Sequence, residues 1–494
     1  MASRSFLAVD IGASSGRHLI GRFDGRQLAL EEVYRFDNGG VDIGGTLYWN
    51  LPGLWASLRE GLRAAGARAG RELAGVGVDT WGVDFGLLDR NDQLIGNPVC
   101  YRDDRTQGMP EHAFSVVPRE EIFRHTGLQF MQINTLYQLA AMKFADTPQL
   151  EYAETLLMMP DLFHWLLTGQ KCNEMTEAST SQLYNPVTGS WSIELIEQFG
   201  LPPHIFQRIV QPGTELGPLR REIAEQSGLT QAKVILPGTH DTASAVMAVP
   251  AASQPGARPD WCYISLGTWA LMGIESPEPV VNDTVLEHGF TNEGGVGGTI
   301  RLLKNITGLW LLQECQRTWA AAGRELDWNA LSRMAGEASP RQVLINPDAG
   351  DFLAPDDMPA AIREYCRNTG QSVPESDGAV LRCALDSIAL KFRQMLAGCE
   401  DLAGRQIETI HIVGGGTQNT LLMQAAADAC GRRVVAGPIE ATGIGNCMMQ
   451  MVATGEVADI AQAREVVRRS FPVDEYEPRD TAAWDDAYGR FQQL

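Results

Sequence analysis

The sequence contains no uninterrupted apolar run approaching the ~18 residues that cross a bilayer. Its opening Met1-Ala-Ser-Arg-Ser-Phe6 has no apolar signal core, and Asp10 interrupts the first apolar stretch. Neither a secretory leader nor a membrane span is expected, which leaves the cytoplasm as the expected location. Basic charge is also scarce: 40 Lys and Arg stand against 61 Asp and Glu, a net charge of -21. Nucleic acids and anionic membranes need a basic footprint, so neither is an expected partner. A local phosphate site stays open, because a few backbone amides and one Arg suffice to build it.

Metal and nucleotide signatures are missing as well. The nine Cys and eight His show no zinc-ligand spacing. No Gly-Lys-Ser/Thr loop occurs, and no G-x-G-x-x-G fingerprint is followed by its acidic residue, which argues against a Walker A site and a nicotinamide dehydrogenase. Cys366 and Cys383 could pair, but reduced thiols are expected in a cytoplasm.

What is present is an ordinary globular composition: 494 residues, 44% hydrophobic, 20% charged, with 51 Gly and 25 Pro. At roughly 150 residues per domain the length fits three units or two large ones. Phe6 to Gly12 reads as a strand entering a tight turn, followed by His18 to Phe23, a turn at Gly25, and Gln27 to Phe36, a run of hairpins. Leu54 to Ala67 has helical spacing, and Gly75 to Asp79 and Val83 to Leu88 read as buried strands. The Pro-rich stretch 249–259 reads as an interdomain connection. Directly after it, Trp261 to Gly273 repeats the opening pattern of strand, hydroxyl-bearing Gly turn and strand. Val380 to Leu396 is helical, Ile407 to Val413 a strand, Arg433 to Ala436 a strand and Gly443 to Thr454 a helix. This alternation predicts an α/β layered fold.

Four segments carry candidate chemistry. In Asp10-Ile-Gly-Ala-Ser-Ser-Gly-Arg17 a carboxylate at a strand end can hold hydrated magnesium. The same segment offers two glycines for a tight turn, two hydroxyls as donors and Arg17 as a counter-charge; a plain β-turn is the other reading. Ser265-Leu-Gly-Thr-Trp269 is a second hydroxyl-bearing turn, and Val413-Gly-Gly-Gly-Thr-Gln-Asn419 is a Gly run between strand and helix. Gly238-Thr-His-Asp-Thr242 places a His-Asp pair where a strand gives way to a helix. Asp241 there is either a helix cap or a general base for transfer to an alcohol.

Taken in this order, the segments resemble the FGGY carbohydrate kinases, whose fold is of the actin/hexokinase type. Asp79-Thr-Trp-Gly-Val-Asp-Phe85, Tyr101 to Thr106, Asn134 to Gln138, His240 to Val246, Thr291-Asn-Glu-Gly-Gly295, Lys304-Asn-Ile and Gly308 to Gln313 narrow the likeness to kinases of L-rhamnulose. The likeness spans about residues 6–455. It implies two actin-like (ribonuclease H-like) domains, 1–250 and 251–494, each a mixed sheet flanked by helices, with the active site in the cleft between them. It implies ATP-dependent phosphorylation of the L-rhamnulose 1-hydroxyl in L-rhamnose catabolism, by a chain that is a monomer or weak dimer. By the same likeness Asp241 is the proton acceptor, and Gly82, His240, Asp241, Thr242 and Asn305 bind the sugar. Ala13, Ser14, Ser15, Gly16, Arg17, Thr268, Gln313 and Gly415 bind ATP, and Asp10 holds magnesium through water. A kinase of another ketose, such as L-fuculose or xylulose, and a non-catalytic sensor are the alternatives. Trp81 could face the sugar's methyl group or pack in the core.

Two departures accompany the likeness. Ala426 stands where some relatives carry the first Cys of a pair ending near Cys430, so that bridge cannot form. Met159-Pro-Asp-Leu-Phe-His-Trp165 lacks the Lys usual in its family signature.

Overall fold

The computed structural model describes residues 4–70, 73–252, 259–353 and 355–494. Contacts divide the chain into two compact units. The first takes Met1–Ala257, Glu275–Leu302 and Ala441–Ser470; the second takes Arg258–Ile274, Leu303–Glu440 and Phe471–Leu494. Most of the expected connection at 249–259 lies outside the described residues.

The first unit is built on a six-stranded sheet. Its strands are β1 (Arg4–Ile11), β2 (Ser15–Phe23), β3 (Leu28–Asp37), β4 (Leu73–Thr80), β5 (Glu215–Pro218) and β6 (Lys233–Ile235), in the order β5-β6-β4-β1-β2-β3. β1 lies centrally, and every residue from Ser5 to Ile11 is buried, which explains its nearly continuous apolar run. It pairs antiparallel with β2 and parallel with β4. Helix α1 (Leu51–Ala69) covers the sheet with Leu54, Leu58, Leu62, Ala65 and Ala69 buried along one face. The Asn50 side chain caps it by accepting from the Gly53 N–H, and Pro52 occupies a first-turn position where no N–H is needed.

Helix α2 (Asp241–Met247) follows β6 and packs against the helix Ala441–Ala453, the stretch returning from far along the chain. The two backbones meet closely: a Cβ at Gly445 would sit 1.8 Å from the Ser244 carbonyl oxygen. Only glycine fits there.

The second sheet has seven strands: Thr291–Gly294 at one edge, then β9-β8-β7-β10-β11-β12. The labelled strands are β7 (Trp261–Leu266), β8 (Trp269–Ser276), β9 (Ile300–Thr307), β10 (Thr409–Val413), β11 (Arg433–Ala436) and β12 (Asp474–Tyr476). β7 pairs antiparallel with β8 and parallel with β10, as β1 does with β2 and β4. β10 and β11 are parallel and β12 closes antiparallel, matching β4, β6 and β5. The repeated strand-turn-strand pattern in the sequence is thus the visible part of a repeated topology. Helices α3 (Trp310–Ala321), α4 (Asp377–Ala403) and α5 (Thr420–Cys430) flank this sheet. Cys366 and Cys383 are free, buried thiols.

Just past β4 the first unit buries a polar hub. Asp84 Oδ2 accepts from the indole N–H of Trp49 (2.6 Å), the indole N–H of Trp81 (3.0 Å) and the Tyr101 backbone N–H (3.1 Å), while Oδ1 accepts from Gln138 (2.8 Å). Trp81 is buried and its ring lies 4.0 Å from that of Trp49, so it packs in the core. Burial raises the Asp84 carboxyl to about 6, although its four donors pull it down.

Two outcomes follow from this packing. A carboxyl at about 6 folded and 3.8 unfolded is protonated in the native state where the unfolded chain has already ionised. Its contribution is therefore lost as pH rises through that window, by about 3 kcal/mol at most. The urea stability of wild type minus that of Asp84→Asn should fall by that order between the two pH values; a constant difference would contradict the assignment. Gly445→Ala should lower stability by about 1–3 kcal/mol or more in thermal melts, because two buried helices must separate.

Candidate active site

The first unit's candidate residues meet at one edge of its sheet. Asp10 lies one residue before the end of β1, in register with Asp79 on β4. One residue further, Thr80 is bridged to His240, and its N–H donates to the Thr239 carbonyl (2.9 Å). This brings the start of α2 to the same strand ends. Asp10, Asp79 and Asp241 therefore share a neighbourhood, and each acidic charge disfavours the others. The Asp79 carboxyl is raised well above the usual range, first by burial and then by Asp10. Its Oδ2 accepts from Asn446 at 2.5 Å, and its buried Oδ1 has no hydrogen-bond partner.

Asp241 occupies the first position of α2, and His240 stands at the cap without a side-chain cap bond. Asp241 is thus not the cap residue. Its side chain keeps 31% exposure and Oδ1 accepts from Thr242 Oγ1 at 3.1 Å. Burial raises its pKa, with His240 opposing and Asp10 adding to the rise. A raised carboxylate that still reaches solvent suits a general base. The loop before it is anchored by Glu174, whose Oε2 accepts from the Thr239 N–H (3.1 Å) and Oγ1 (2.6 Å) and from Thr176 Oγ1 (2.5 Å). Thr242 is buried, and Gly82 sits beside Thr180, whose Oγ1 accepts from the Val83 N–H (3.0 Å).

Ala13 and Ser14 lie in the β1–β2 turn, and Ser15 to Arg17 open β2. The Gly12 N–H donates to the Ser15 carbonyl (2.9 Å), and Asn38 braces the turn through the Gly12 and Ser14 carbonyls. Ser14 is exposed and Ala13 and Ser15 half-buried. Gly16 has a packing reason, since a Cβ there would lie 2.1 Å from the Phe36 ring. Arg17 donates through Nε (3.0 Å) and Nη2 (2.9 Å) to Asp10 Oδ2.

The remaining candidates belong to the second unit. Thr268 lies at the β7–β8 turn, and its carbonyl accepts from Gly308 (3.2 Å) and Trp310 (3.1 Å) at the start of α3. Gln313 is in the first turns of α3 and lines a cleft of about 810 Å³ with Gln316, Arg317 and Asp327. Gly415 is exposed in the turn after β10, and Ser265 on β7 pairs with Val413 on β10. The three therefore gather at one edge of the second sheet. Asn305 lies half-buried on β9.

Several polar residues of the first unit had no assigned role in the sequence. Asp79 and Glu293 stand inside quoted motifs, and the fold buries both. Glu177 is fully buried, neither carboxyl oxygen has a hydrogen-bond partner, and burial raises its pKa well above the usual value. Asn446 and Arg301 gave no signal beyond being polar in otherwise apolar or Gly-rich surroundings.

Two family descriptions match the chain: the N-terminal domain of the FGGY family of carbohydrate kinases over residues 5–248, and its C-terminal domain over residues 262–454. A rhamnulokinase from Bacteroides thetaiotaomicron is 45% identical over 489 residues, covering 99% of both chains. A rhamnulokinase from Bacillus subtilis is 38% identical, covering 96% of both. Among solved structures, a ligand-bound xylulose kinase from Lactobacillus acidophilus superposes with a TM-score of 0.81 at 15% identity, covering 99% of this chain and 97% of that one. Plasmodium falciparum glycerol kinase with ADP gives 0.75 at 13% identity, covering 99% and 97%. At such identities the structural likeness speaks to the fold alone. The matched domains and the near full-length identity place the chain in the FGGY family of carbohydrate kinases.

Proposed function

We propose that the chain transfers the γ-phosphoryl group of ATP to the 1-hydroxyl of L-rhamnulose, giving L-rhamnulose 1-phosphate and ADP. The observation that carries the reading is the placement of Asp241: a partly exposed carboxylate with a raised pKa, fixed at the start of a helix beside His240. The full-length identity to rhamnulokinases supports the choice of sugar. In this proposal residues 1–250 bind the sugar, hold the base and carry the ATP phosphate loop, and residues 251–494 bind the nucleotide and add Asn305 to the sugar contacts.

Asp241 accepts the proton of the attacking hydroxyl, late in a loose phosphoryl transfer. Gly82, His240, Thr242 and Asn305 orient the sugar. The exposed Ser14 and the backbone of Ala13 to Gly16 offer donors to the phosphates, with Arg17 as counter-charge. Thr268, Gln313 and Gly415 contact the rest of the nucleotide.

Magnesium fits the donor set at Asp10 and Asp79. Both offer hard carboxylate oxygens, and the buried Asp79 Oδ1 lacks a partner. When bound, the ion would neutralise phosphate charge and relieve the repulsion among these carboxylates.

The test is ADP release with ATP and magnesium over a panel of L-rhamnulose, L-fuculose, L- and D-xylulose, D-fructose and glycerol. L-Rhamnulose should give the highest kcat/KM. Asp241→Asn should lower kcat by about 10²–10⁴-fold while the sugar still binds. The wild-type rate should fall on the acid side with an apparent pKa above the ordinary 3.8. Preference for another ketose would discard the substrate and keep the chemistry; no sugar-dependent turnover would discard both.

A further inference from the structure

Behind the His-Asp pair the first unit buries an ionic triangle. Arg301 is fully buried, and His240 and Glu293 nearly so. Arg301 Nη2 lies 3.0 Å from His240 Nδ1 and 3.1 Å from Glu293 Oε2, and Glu293 Oε2 lies 3.2 Å from the same Nδ1. Arg301 Nε donates to the Gly294 carbonyl at 2.7 Å, which fixes the plane of the guanidinium. On the opposite edge of the ring, His240 Nε2 lies 3.6 Å from Asp241 Oδ1.

The chemistry of these atoms selects one tautomer. A guanidinium has donors and no acceptor. The Arg301 N–H reaches Nδ1 with hydrogen-bond geometry, whereas Glu293 Oε2 makes no hydrogen bond of acceptable geometry despite its proximity. Nδ1 must then supply the lone pair, and the proton sits on Nε2. The opposite tautomer would set two donors against each other at Nδ1 and turn a lone pair toward the Asp241 carboxylate. Glu293 supplies the compensating charge for Arg301: burial would raise its carboxyl, but the Arg301 guanidinium holds it below the usual value.

We propose that Arg301, neutralised by Glu293, is a positioning residue that locks His240 as the Nε2–H tautomer, so that a fixed N–H donor faces Asp241 and the acceptor hydroxyl. The inference rests on the reading of Asp241 as the base. A fixed donor beside the base holds the hydroxyl oxygen in one orientation and keeps the carboxylate's free lone pair toward its proton. A tautomer left to fluctuate would present the acceptor with a donor only part of the time.

Two measurements test it on the full-length protein. Long-range proton–nitrogen correlation with ¹⁵N-histidine label, with the His240 signals assigned by their loss in His240→Gln, should show protonated Nε2 and bare Nδ1. A protonated Nδ1, alone or with Nε2, would overturn the proposal. In kinetics, Glu293→Leu/Arg301→Met removes both charges so that neither is left unpaired. This variant should keep its circular dichroism and the KM for ATP, lose the single tautomer signature, and lose kcat on the order of 100-fold. Arg301→Lys, which still offers a donor to Nδ1, should recover part of that loss. A folded double variant with wild-type kcat would overturn the proposal, and if neither variant folds the wild-type tautomer alone decides. Absence of sugar kinase activity in wild type would sink the functional reading while the tautomer stands. An active wild type with Nδ1–H would sink only the positioning role.

Discussion

Three carboxylates, Asp10, Asp79 and Asp241, are held at one edge of the first sheet, and much of the surrounding structure keeps them there against their mutual repulsion. Strand pairing fixes the first two: Asp10 and Asp79 lie in register, each one residue before the end of neighbouring parallel strands. The Thr80–His240 bridge and the five acceptor bonds gathered by Glu174 fix the third. Arg17 and Asn446 each engage one of the carboxylates, and they come from a hairpin and from a helix far along the chain. Negative charge concentrated in this way is costly without a cation. That cost favours a cation at this edge.

The same organisation explains why the first unit draws on three separate stretches. The helix Ala441–Ala453 supplies Asn446 to Asp79 and Gln450 to the Leu7 carbonyl, across 367 and 443 positions of sequence. Its approach to α2 is so close that Gly445 tolerates no side chain. The helix that carries Asp241 is therefore positioned by a segment that a division of the chain at residue 250 would assign to the other half.

What the sequence made legible was local. The largely apolar β1, the hairpin after it, helix α1 and the strand Arg433–Ala436 all have short-range patterns, and they appear where those patterns put them. The His-Asp loop and the two hydroxyl-bearing turns were visible for the same reason. Long-range burial was not visible. Glu293 and Arg301 are charged residues in short strands, a pattern that reads as a surface, and their burial depends on His240 meeting them from a distant loop. Asp84 looked like part of a motif, and its role as a four-donor hub depends on Trp49, Tyr101 and Gln138 converging in space. Gly16 showed the opposite case: a phosphate-loop reading at a position whose need for glycine is met by the Phe36 ring.

The central claim is that this edge directs phosphoryl transfer to one hydroxyl of one ketose. The most direct measurement is phosphorus and proton NMR of the product formed from ATP, magnesium and L-rhamnulose. The account predicts a single sugar phosphate whose phosphorus couples to the C1 methylene protons. Phosphate at another carbon, or inorganic phosphate with unmodified sugar, would contradict it.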